Sequence, residues 1–462
     1  MARAYTHTSH EDVSHDSIDS FGYDWERAAN RDVRPRYPLK IYLPQTTEDI
    51  VEIIRETNAL GQKLMIRSKG HSSNDLVLAE KGAVLTTQKL DRILHLDEDA
   101  MTVTVQSGVV LADLDLHLSK HGLGLPIVGD HNDITAGGFA SVGGFSPASL
   151  RYGMFIDNVT RLEYVTWEGE VVSCGRDDNP EEFCRVLAGT GQHGVISTLE
   201  CKVRRVNKLR DLVRNDQTNY RKLDDFLRVT TAFIADQGDA VMQRIVWFDF
   251  GLLKMGQLSR YVEVPATPRN NLRDKAAFTY LHSLGRFAGR LPRRVDSLLK
   301  VLGIAGVMFP PRYGTIKHVE TLTDRVLESS VGDPIRMLAV IAPEGNYEAV
   351  FRGLYDLCLS YRKRHKCFSF VSIYVKALNS EYLDGIEPGT HFCELLLYLG
   401  VKPAGMTDAV MESLVSELDD LCIRHGAYRY MHTKTVKDPE RRQRIDPNAA
   451  RARRATPAPV EV

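Results

Sequence analysis

The sequence predicts an α+β protein with two domains, and three observations carry that prediction. The chain has 462 residues, which is more than one ordinary hydrophobic core accommodates. Residues 35–206 alternate short strands and helices with glycine-rich joints, and residues 207–425 alternate longer strands with long helices. Long helices between isolated strands favour a mainly antiparallel sheet with flanking helices on one side.

The elements of the first domain follow from local patterns. From Pro38 the pattern predicts an extended entry, a Thr/Asp-capped amphipathic helix that stops at Gly61, and the strand KLMIR. MTVTVQS alternates with period two, and VLADLDLHLSKHGLGL predicts a second helix that ends at Gly122. LEYVTWEGEVVSC then predicts a hairpin, EEFCRVLAG a helix and GVISTLECKVRRV a long strand.

The second domain is predicted to have longer strands and helices than the first, and the chain ends are predicted to lack a fixed structure. AVMQRIVWFDF, RMLAVIAP, FSFVSIYV and HFCELLLYL predict strands, and YEAVFRGLYDLCLSYRKRH and AVMESLVSELDDLCIRHG predict helices. Residues 1–34 are predicted to be a flexible arm and residues 449–462 a disordered tail. The basic segment 282–312 fits a solvated helix pair better than a mobile lid or a surface-associated loop.

Composition excludes several classes of function. The 59 basic and 60 acidic residues give a net charge of −1, which predicts neither nucleic-acid binding nor attraction to a membrane surface. No apolar run approaches the roughly 18 residues of a membrane span, and the polar N-terminus is unlike a secretory signal. Seven scattered cysteines without a CxxC pair predict reduced thiols in a cytoplasmic protein, with no metal site and no disulfide frame.

Three glycine-rich segments of the first domain are predicted to be loops that offer backbone amides to an anion. Residues 68–75 offer successive amides and the hydroxyls of Ser72 and Ser73, and GGFASVGG (137–144) and GTGQHG (189–194) add further amides. The sequence has neither GxxxxGK[ST] nor a GxGxxG that opens a helix. The three segments together therefore predict an extended diphosphate cofactor held outside a Rossmann or P-loop frame.

The ordered set GHS, LPIVGDHNDITAGGFASVGGFSPASLRYG, GEVVSC and AGTGQHGVIS resembles the FAD-binding domain of the vanillyl-alcohol oxidase superfamily. Cytokinin dehydrogenases, alditol and aldonolactone oxidases and decaprenylphosphoryl-ribose oxidases are similar here. The resemblance covers roughly residues 35–206 and implies a two-subdomain PCMH-type domain that binds FAD, with a substrate domain over the isoalloxazine ring. GAYRYMHTK (426–434) resembles the strand that returns to the flavin, which implies a C-terminal return over residues 426–448.

The resemblance also implies site residues. His71 stands where many members join the flavin covalently, although a dissociable FAD beside His71 is the alternative. The segment HND at the second motif has no cysteine for a second covalent link. The residues predicted to bind the cofactor are Arg67, Ser68, Lys69, Gly70, His71, Ser72, Ser73, Asp75, Gly129, Thr135, Gly137, Gly138, Ala140, Ser141, Gly143, Arg151, Tyr152, Gly191, Gly194, Val195 and Ile196.

Asp130, His131 and His432 are the predicted catalytic residues. Asp130 lies seven residues before Gly137, where the cytokinin dehydrogenases have a proton-accepting Asp. Its alternative role is that of a turn residue that binds its own loop amides. His131 and Asp133 are alternatively an ion pair or a cap for the next turn, and a histidine in a strand, such as His432, is often only hydrogen-bonded.

The expected function is an FAD-dependent oxidoreductase that transfers a hydride from a small polar alcohol, sugar- or polyol-like, to flavin N5. Dioxygen or another compound accepts the electrons. The motif that marks the substrate domain of cytokinin dehydrogenases is absent, which argues against a cytokinin substrate. Oxidation of an amine C–N bond, NADPH-dependent reduction of a C=C bond and a flavoprotein without turnover are the alternatives.

Overall fold

The computed structural model describes residues 7–9, 20–24, 35–72, 76–131, 133–276, 279, 312–320, 335–430 and 438–455. The chain forms two compact units, Met1–Gly144 with Phe155–Asn207 and Phe145–Met154 with Lys208–Val462. The segment Phe145–Met154 was predicted to lie in the first domain, and that prediction is wrong. It belongs to the second unit, where the carbonyl of Pro147 accepts a hydrogen bond from the Gln243 amide at 2.9 Å.

The first unit begins with a small mixed sheet. Its strands are β1 (His7–Ser9), β2 (Lys40–Tyr42), β3 (Leu64–Arg67) and β4 (Ala83–Thr86), in the order β1-β2-β4-β3. Strand β4 pairs in parallel with β2 and β3, whereas β1 pairs antiparallel with β2. Residues 7–9 are therefore part of a sheet, which corrects the predicted flexible arm at that point.

Helix α1 (Thr47–Ala59) links β2 to β3 and has the predicted Thr/Asp cap. The Thr46 hydroxyl accepts from the Asp49 amide at 3.2 Å, and the Asp49 carboxylate accepts from the Thr46 amide at 3.1 Å. This capping box satisfies two amide groups that the first helical turn leaves open. The helix buries Ile50, Ile53 and Ile54, whose spacing places them on one face.

A second sheet of the first unit is antiparallel throughout. Its strands are β5 (Ile93–Asp97), β6 (Thr102–Gln106), β8 (Val159–Thr166), β9 (Val171–Gly175) and β10 (Gly194–Lys202), in the order β5-β6-β10-β8-β9. Strands β8 and β9 form the predicted hairpin. The short strands β7 (Leu123–Gly124) and β11 (Arg204–Arg205) pair with each other.

Four helices follow α1 before residue 187. They are α2 (Leu111–Ser119), α3 (Ala136–Val142), α4 (Ser149–Tyr152) and α5 (Pro180–Val186). Helices α2, α3 and α5 belong to the first unit and α4 to the second. An open loop was predicted over GGFASVGG, and that prediction is wrong because its first six residues lie in α3.

The second unit is built on an eight-stranded antiparallel sheet. Its strands are β12 (Leu212–Tyr220), β13 (Met242–Asp249), β14 (Lys254–Val264), β15 (Tyr313–Thr315), β16 (Ile335–Pro343), β17 (Phe368–Leu378), β18 (Phe392–Val401) and β19 (Tyr428–Arg429). The strand order is β15-β12-β14-β13-β17-β18-β16-β19. The predicted α+β class is confirmed.

The helices of the second unit complete its core. Among the described residues they include α6 (Leu223–Ala235), α7 (Ile316–Glu320), α8 (Tyr347–His365), α9 (Glu381–Asp384), α10 (Asp408–His425), α11 (Pro439–Ile445) and α12 (Pro447–Ala455). Buried residues of α6, α8 and α10 pack in one cluster with side chains such as Ile245, Ile373 and Leu395 of the sheet. These side chains share one face of the sheet, because alternate residues of a strand point to the same side.

The C-terminal part departs from the predictions. Within the predicted return to the flavin domain, Tyr428–Arg429 form β19, which pairs with β16 of the second unit, and residues 431–437 lie outside the described residues. Helix α12 covers residues 447–455 and contradicts the predicted disorder over residues 449–455. Residues 456–462, and all of the basic segment 282–312 except Arg312, lie outside the described residues.

Candidate functional site

The loop after β3 is tied to two other parts of the first unit by hydroxyl groups. The Ser68 hydroxyl lies 2.8 Å from that of Thr135, which precedes α3. The Thr87 hydroxyl donates to Ser68 at 2.9 Å, and the Gln88 amide donates to the Ser68 carbonyl at 3.3 Å. Thr87 and Gln88 were not among the predicted site residues, because nothing in TTQK marks these residues as partners of a distant loop.

Arg67 has a structural role that its predicted cofactor contact did not anticipate. Its buried guanidinium donates to the carbonyls of Ser20 and Tyr23 at 2.7 and 2.9 Å, and burial lowers the pKa of Arg67 to about 10. A Cβ on Gly70 would lie 2.0 Å from this guanidinium, and Gly70 has a φ of +74°. Arg67 therefore holds residues 20–24, and glycine is required where the loop passes over it. The predicted cofactor contact of Arg67 stays a prediction.

The structure brings two predicted site residues into direct contact. The ring centroids of His71 and His131 are 3.9 Å apart and the ring planes are tilted by 53°. Both residues are half-buried. The two imidazoles come from loops 60 positions apart in the chain, so the fold alone creates this pair.

Asp130 lies immediately before His131 and is buried, with 7% of its surface exposed. The preceding residue, Gly129, packs directly against Ile134, since a Cβ there would lie 2.1 Å from Cδ1 at the end of the Ile134 side chain. This packing restricts the backbone that carries Asp130. Asp133 is exposed, so the two acidic residues of GDHND have different environments.

Helix α3 packs tightly against the end of β6. The Ala136 amide donates to the Val109 carbonyl at 2.9 Å, and the Gly137 amide donates to the Ser107 carbonyl at 2.7 Å. A Cβ on Gly137 would lie 2.6 Å from Ser107 Cβ. The Gly137 amide is therefore used inside the protein, which corrects the prediction that it is open to a phosphate. Gly138 is exposed beside the Ser68 loop.

The third glycine-rich segment is attached to the other end of α3. The amides of Ala188 and Thr190 donate to the carbonyls of Ala140 and Ser141 at 2.9 and 2.8 Å. Ala188 and Thr190 have φ values of +56° and +52°, which non-glycine residues rarely adopt. Such backbone strain persists where the surrounding structure enforces it, often at binding sites. A Cβ on Gly191 would lie 3.1 Å from Ile66 of β3, so all three segments converge around α3.

The remaining predicted residues lie in several parts of the chain. Ser72 is half-buried and Lys69 is exposed in the first loop, and Ser141 donates its hydroxyl to the Gly137 carbonyl within α3. Gly143 follows α3 with a φ of +103°, and the glycine, valine and isoleucine that begin β10 (Gly194, Val195 and Ile196) are buried. Arg151 and Tyr152 lie in α4, which belongs to the second unit. Ser73, Asp75 and His432 lie outside the described residues.

These residues fit an FAD. A ligand can approach the backbone closely at Gly138 and Gly191, where the three glycine-containing segments converge. The hydroxyls of Ser68 and Thr135, which share one hydrogen bond, lie beside this backbone. His71 supplies an imidazole next to this cradle. In the described part of the chain, no cluster of three metal-binding side chains occurs. Among the helices described, none combines the length and the apolar character that a membrane crossing needs.

Comparison with known proteins agrees with this geometry. Residues 38–175 match the family described as an FAD binding domain. L-gulonolactone oxidase of Bos taurus is 30% identical over 166 residues, which are 36% of this chain and 37% of that protein. An uncharacterized oxidoreductase of the fasciation locus of Rhodococcoides fascians is 32% identical over 190 residues, 41% of this chain and 42% of that protein.

Cytokinin dehydrogenase 3 of Arabidopsis thaliana is 29% identical over 172 residues, which are 36% of this chain and 33% of that protein. The chain thus spans less than half the length of the curated relatives that it matches. Residues 38–175 form an FAD-binding domain, as the resemblance to the vanillyl-alcohol oxidase superfamily predicted, and FAD is its cofactor.

Proposed function

We propose that the protein is an FAD-dependent oxidoreductase of the vanillyl-alcohol oxidase type that oxidises a small polar alcohol, sugar- or polyol-like. Dioxygen or another small acceptor removes the electrons. The observation that carries the proposal is the contact between His71 and His131 directly after the buried Asp130. It supports a site in which a linkage histidine and a proton acceptor lie in one cluster of the FAD-binding domain.

When bound, FAD supplies an acceptor for the hydride that leaves the hydroxyl-bearing carbon. Asp130 accepts the hydroxyl proton as the hydride departs, because an ionised carboxylate is a competent base in a protected site. The close packing of Gly129 against Ile134 keeps the base in place.

We assign covalent attachment of the cofactor to His71. A neutral imidazole nitrogen is a competent nucleophile, and the ring of His131 at 3.9 Å limits the orientations that His71 adopts. Attachment prevents the loss of FAD from the protein.

We also propose a cytoplasmic location. All seven cysteines are free, which fits a reducing compartment.

The proposed function is tested by anaerobic mixing of the purified yellow holoprotein with a panel of alcohols, amines and lactones. Bleaching of the flavin by polar alcohols is the expected result. Bleaching by amines alone, or by NADPH alone, would assign amine oxidation or reduction of a C=C bond instead. A flavin that none of these compounds reduces would identify a flavoprotein without turnover.

A further inference from the structure

Residues 20–24, called the N-terminal clamp from here on, are fixed to the first unit by apolar and polar contacts. The Phe21 side chain is 7% exposed and belongs to a buried cluster with Ile41 of β2. The Gly22 carbonyl accepts a hydrogen bond from the Arg36 amide at 3.0 Å. The clamp therefore has a defined position, although the sequence predicts a flexible arm there.

A buried arginine at the end of β3 connects the clamp to the rest of the unit. Arg67 is 4% exposed, and its Nη2 donates to the carbonyls of Ser20 and Tyr23 at 2.7 and 2.9 Å. Burial lowers the pKa of Arg67 to about 10, and the negative charge of Asp24, itself 1% exposed, acts in the opposite direction. Arg67 is therefore charged at neutral pH, and the clamp supplies hydrogen-bond acceptors and a negative charge for it.

The same guanidinium lies against the loop that follows β3. A Cβ on Gly70 would lie 2.0 Å from Arg67 Nη2 and 2.4 Å from Cζ, so the backbone of the loop passes directly over the charged group. Gly70 has a φ of +74°, which glycine adopts without strain. Nη2, the nitrogen that the clamp holds, is thus also in close contact with the loop.

This loop, residues 68–72, belongs to the region that fits FAD. At its start, the Ser68 hydroxyl lies 2.8 Å from that of Thr135. Near its end, the ring of His71 lies 3.9 Å from that of His131. Between these two points the loop lies against the guanidinium that the clamp holds, so the position of this group affects the whole loop.

We propose that the N-terminal clamp, acting through Arg67, holds the loop of residues 68–72 in the conformation that binds FAD. Phe21 and Asp24 are positioning residues, because they act on Arg67 and not on the cofactor itself. The inference goes beyond the proposed function, since it requires the FAD-binding domain but no particular substrate. It gives the N-terminal arm a role in retaining the cofactor.

The size of the effect follows from the entropy of the loop. Fixing the backbone of one residue costs roughly tenfold in an equilibrium constant. When the clamp or Arg67 is lost, FAD must order the loop as it binds. Release of one or two loop residues therefore raises the dissociation constant of FAD by about 10- to 100-fold.

The test measures FAD affinity in full-length His71→Ala protein, from which FAD dissociates whether or not the wild-type protein links it covalently. FAD is removed and titrated back, and the quenching of flavin fluorescence gives the dissociation constant. In this background, Phe21→Ala and Arg67→Met are each expected to raise the dissociation constant by about 10- to 100-fold. Arg67→Lys keeps a positive charge and donors for both carbonyls, so it is expected to restore most of the affinity. Unchanged affinity in Phe21→Ala and Arg67→Met overturns the proposal.

Leu118→Ala in the same background is the matched control. Leu118 of α2 is 0% exposed, so this variant, like Phe21→Ala, removes buried apolar contacts from the first unit. Both variants are expected to lower the urea midpoint of unfolding, but only Phe21→Ala is expected to weaken FAD binding. Amide hydrogen exchange of residues 68–72 in the FAD-free protein is expected to accelerate in Phe21→Ala and not in Leu118→Ala. An equal loss of FAD affinity in Leu118→Ala would identify general destabilisation and overturn the proposal.

A direct contact between Arg67 and FAD is the alternative, and the same variants distinguish it. It predicts that Arg67→Met loses FAD affinity while Phe21→Ala retains it, and that result contradicts the clamp. Failure of the proposed alcohol oxidation gives a different result, because FAD affinity is measured without substrate. A protein that loses FAD in Phe21→Ala, but whose flavin no alcohol reduces, would retain the clamp and remove the proposed function.

Discussion

Gly137→Ala tests whether the close packing of α3 builds the cofactor site. The added methyl group would lie 2.6 Å from Ser107 Cβ and 3.0 Å from the Ser107 carbonyl oxygen. Neither atom belongs to a flexible side chain, so α3 must move away by about 1 Å to restore ordinary contact. Overpacking of this kind costs about 1–3 kcal/mol, and alanine recovers up to about 1 kcal/mol of helix propensity.

The expected net loss is about 1–2 kcal/mol in the free energy of unfolding, measured by urea titration. The flavin-to-protein ratio should also fall, because Ala140 and Ser141 of α3 hold the loop at Ala188 and Thr190. Gly345→Ala is the control, since a Cβ there meets nothing within 4 Å. If Gly137→Ala keeps both wild-type stability and full flavin content, the argument that α3 requires glycine at this contact is refuted.

Three further predictions concern single side chains. Asp130→Asn should retain full flavin content, while anaerobic flavin reduction by the alcohol slows by about 10²–10⁴-fold. If flavin content and reduction rate are both unchanged, His131 is the next candidate for the base. Loss of flavin would support a structural role for Asp130. Acid precipitation should leave the flavin on the wild-type polypeptide and release it from His71→Ala; a yellow wild-type supernatant would contradict covalent attachment. Lys208→Met breaks a 2.9 Å ion pair with Glu320 in which both side chains are at most 2% exposed. The free energy of unfolding, measured in urea, should fall by about 3–5 kcal/mol. The double variant Lys208→Met with Glu320→Leu should largely restore it, because no buried charge is left without its partner.

Local interactions made several elements predictable. The capping box of Thr46 and Asp49 operates within four residues, so the start of α1 is encoded by its own sequence. The hairpin of β8 and β9 depends on the adjacent strands and on the turn at Glu168 and Gly169. The FAD-binding domain was identified from motifs whose order along the chain is distinctive.

Glycine-rich segments were predicted less well, because glycine permits several conformations and tertiary contacts select among them. The segment GGFASV was predicted as a loop, and it forms α3 where the carbonyls of Ser107 and Val109 receive its first amides. Tertiary contacts also decide the position of residues 145–154. The backbone amides of Gln243 in β13 and of Asn379 after β17 donate to the carbonyls of Pro147 and Ser149.

The sequence by itself determined the α+β class, the cofactor and the chemical types of the candidate residues. Only the tertiary structure decided which of them meet. His71 and His131 are 60 positions apart, and Arg67 meets the carbonyls of Ser20 and Tyr23 from 47 and 44 positions away. No local pattern marks such residues, because their interaction depends on pairing between distant segments and not on the residues beside them in the chain.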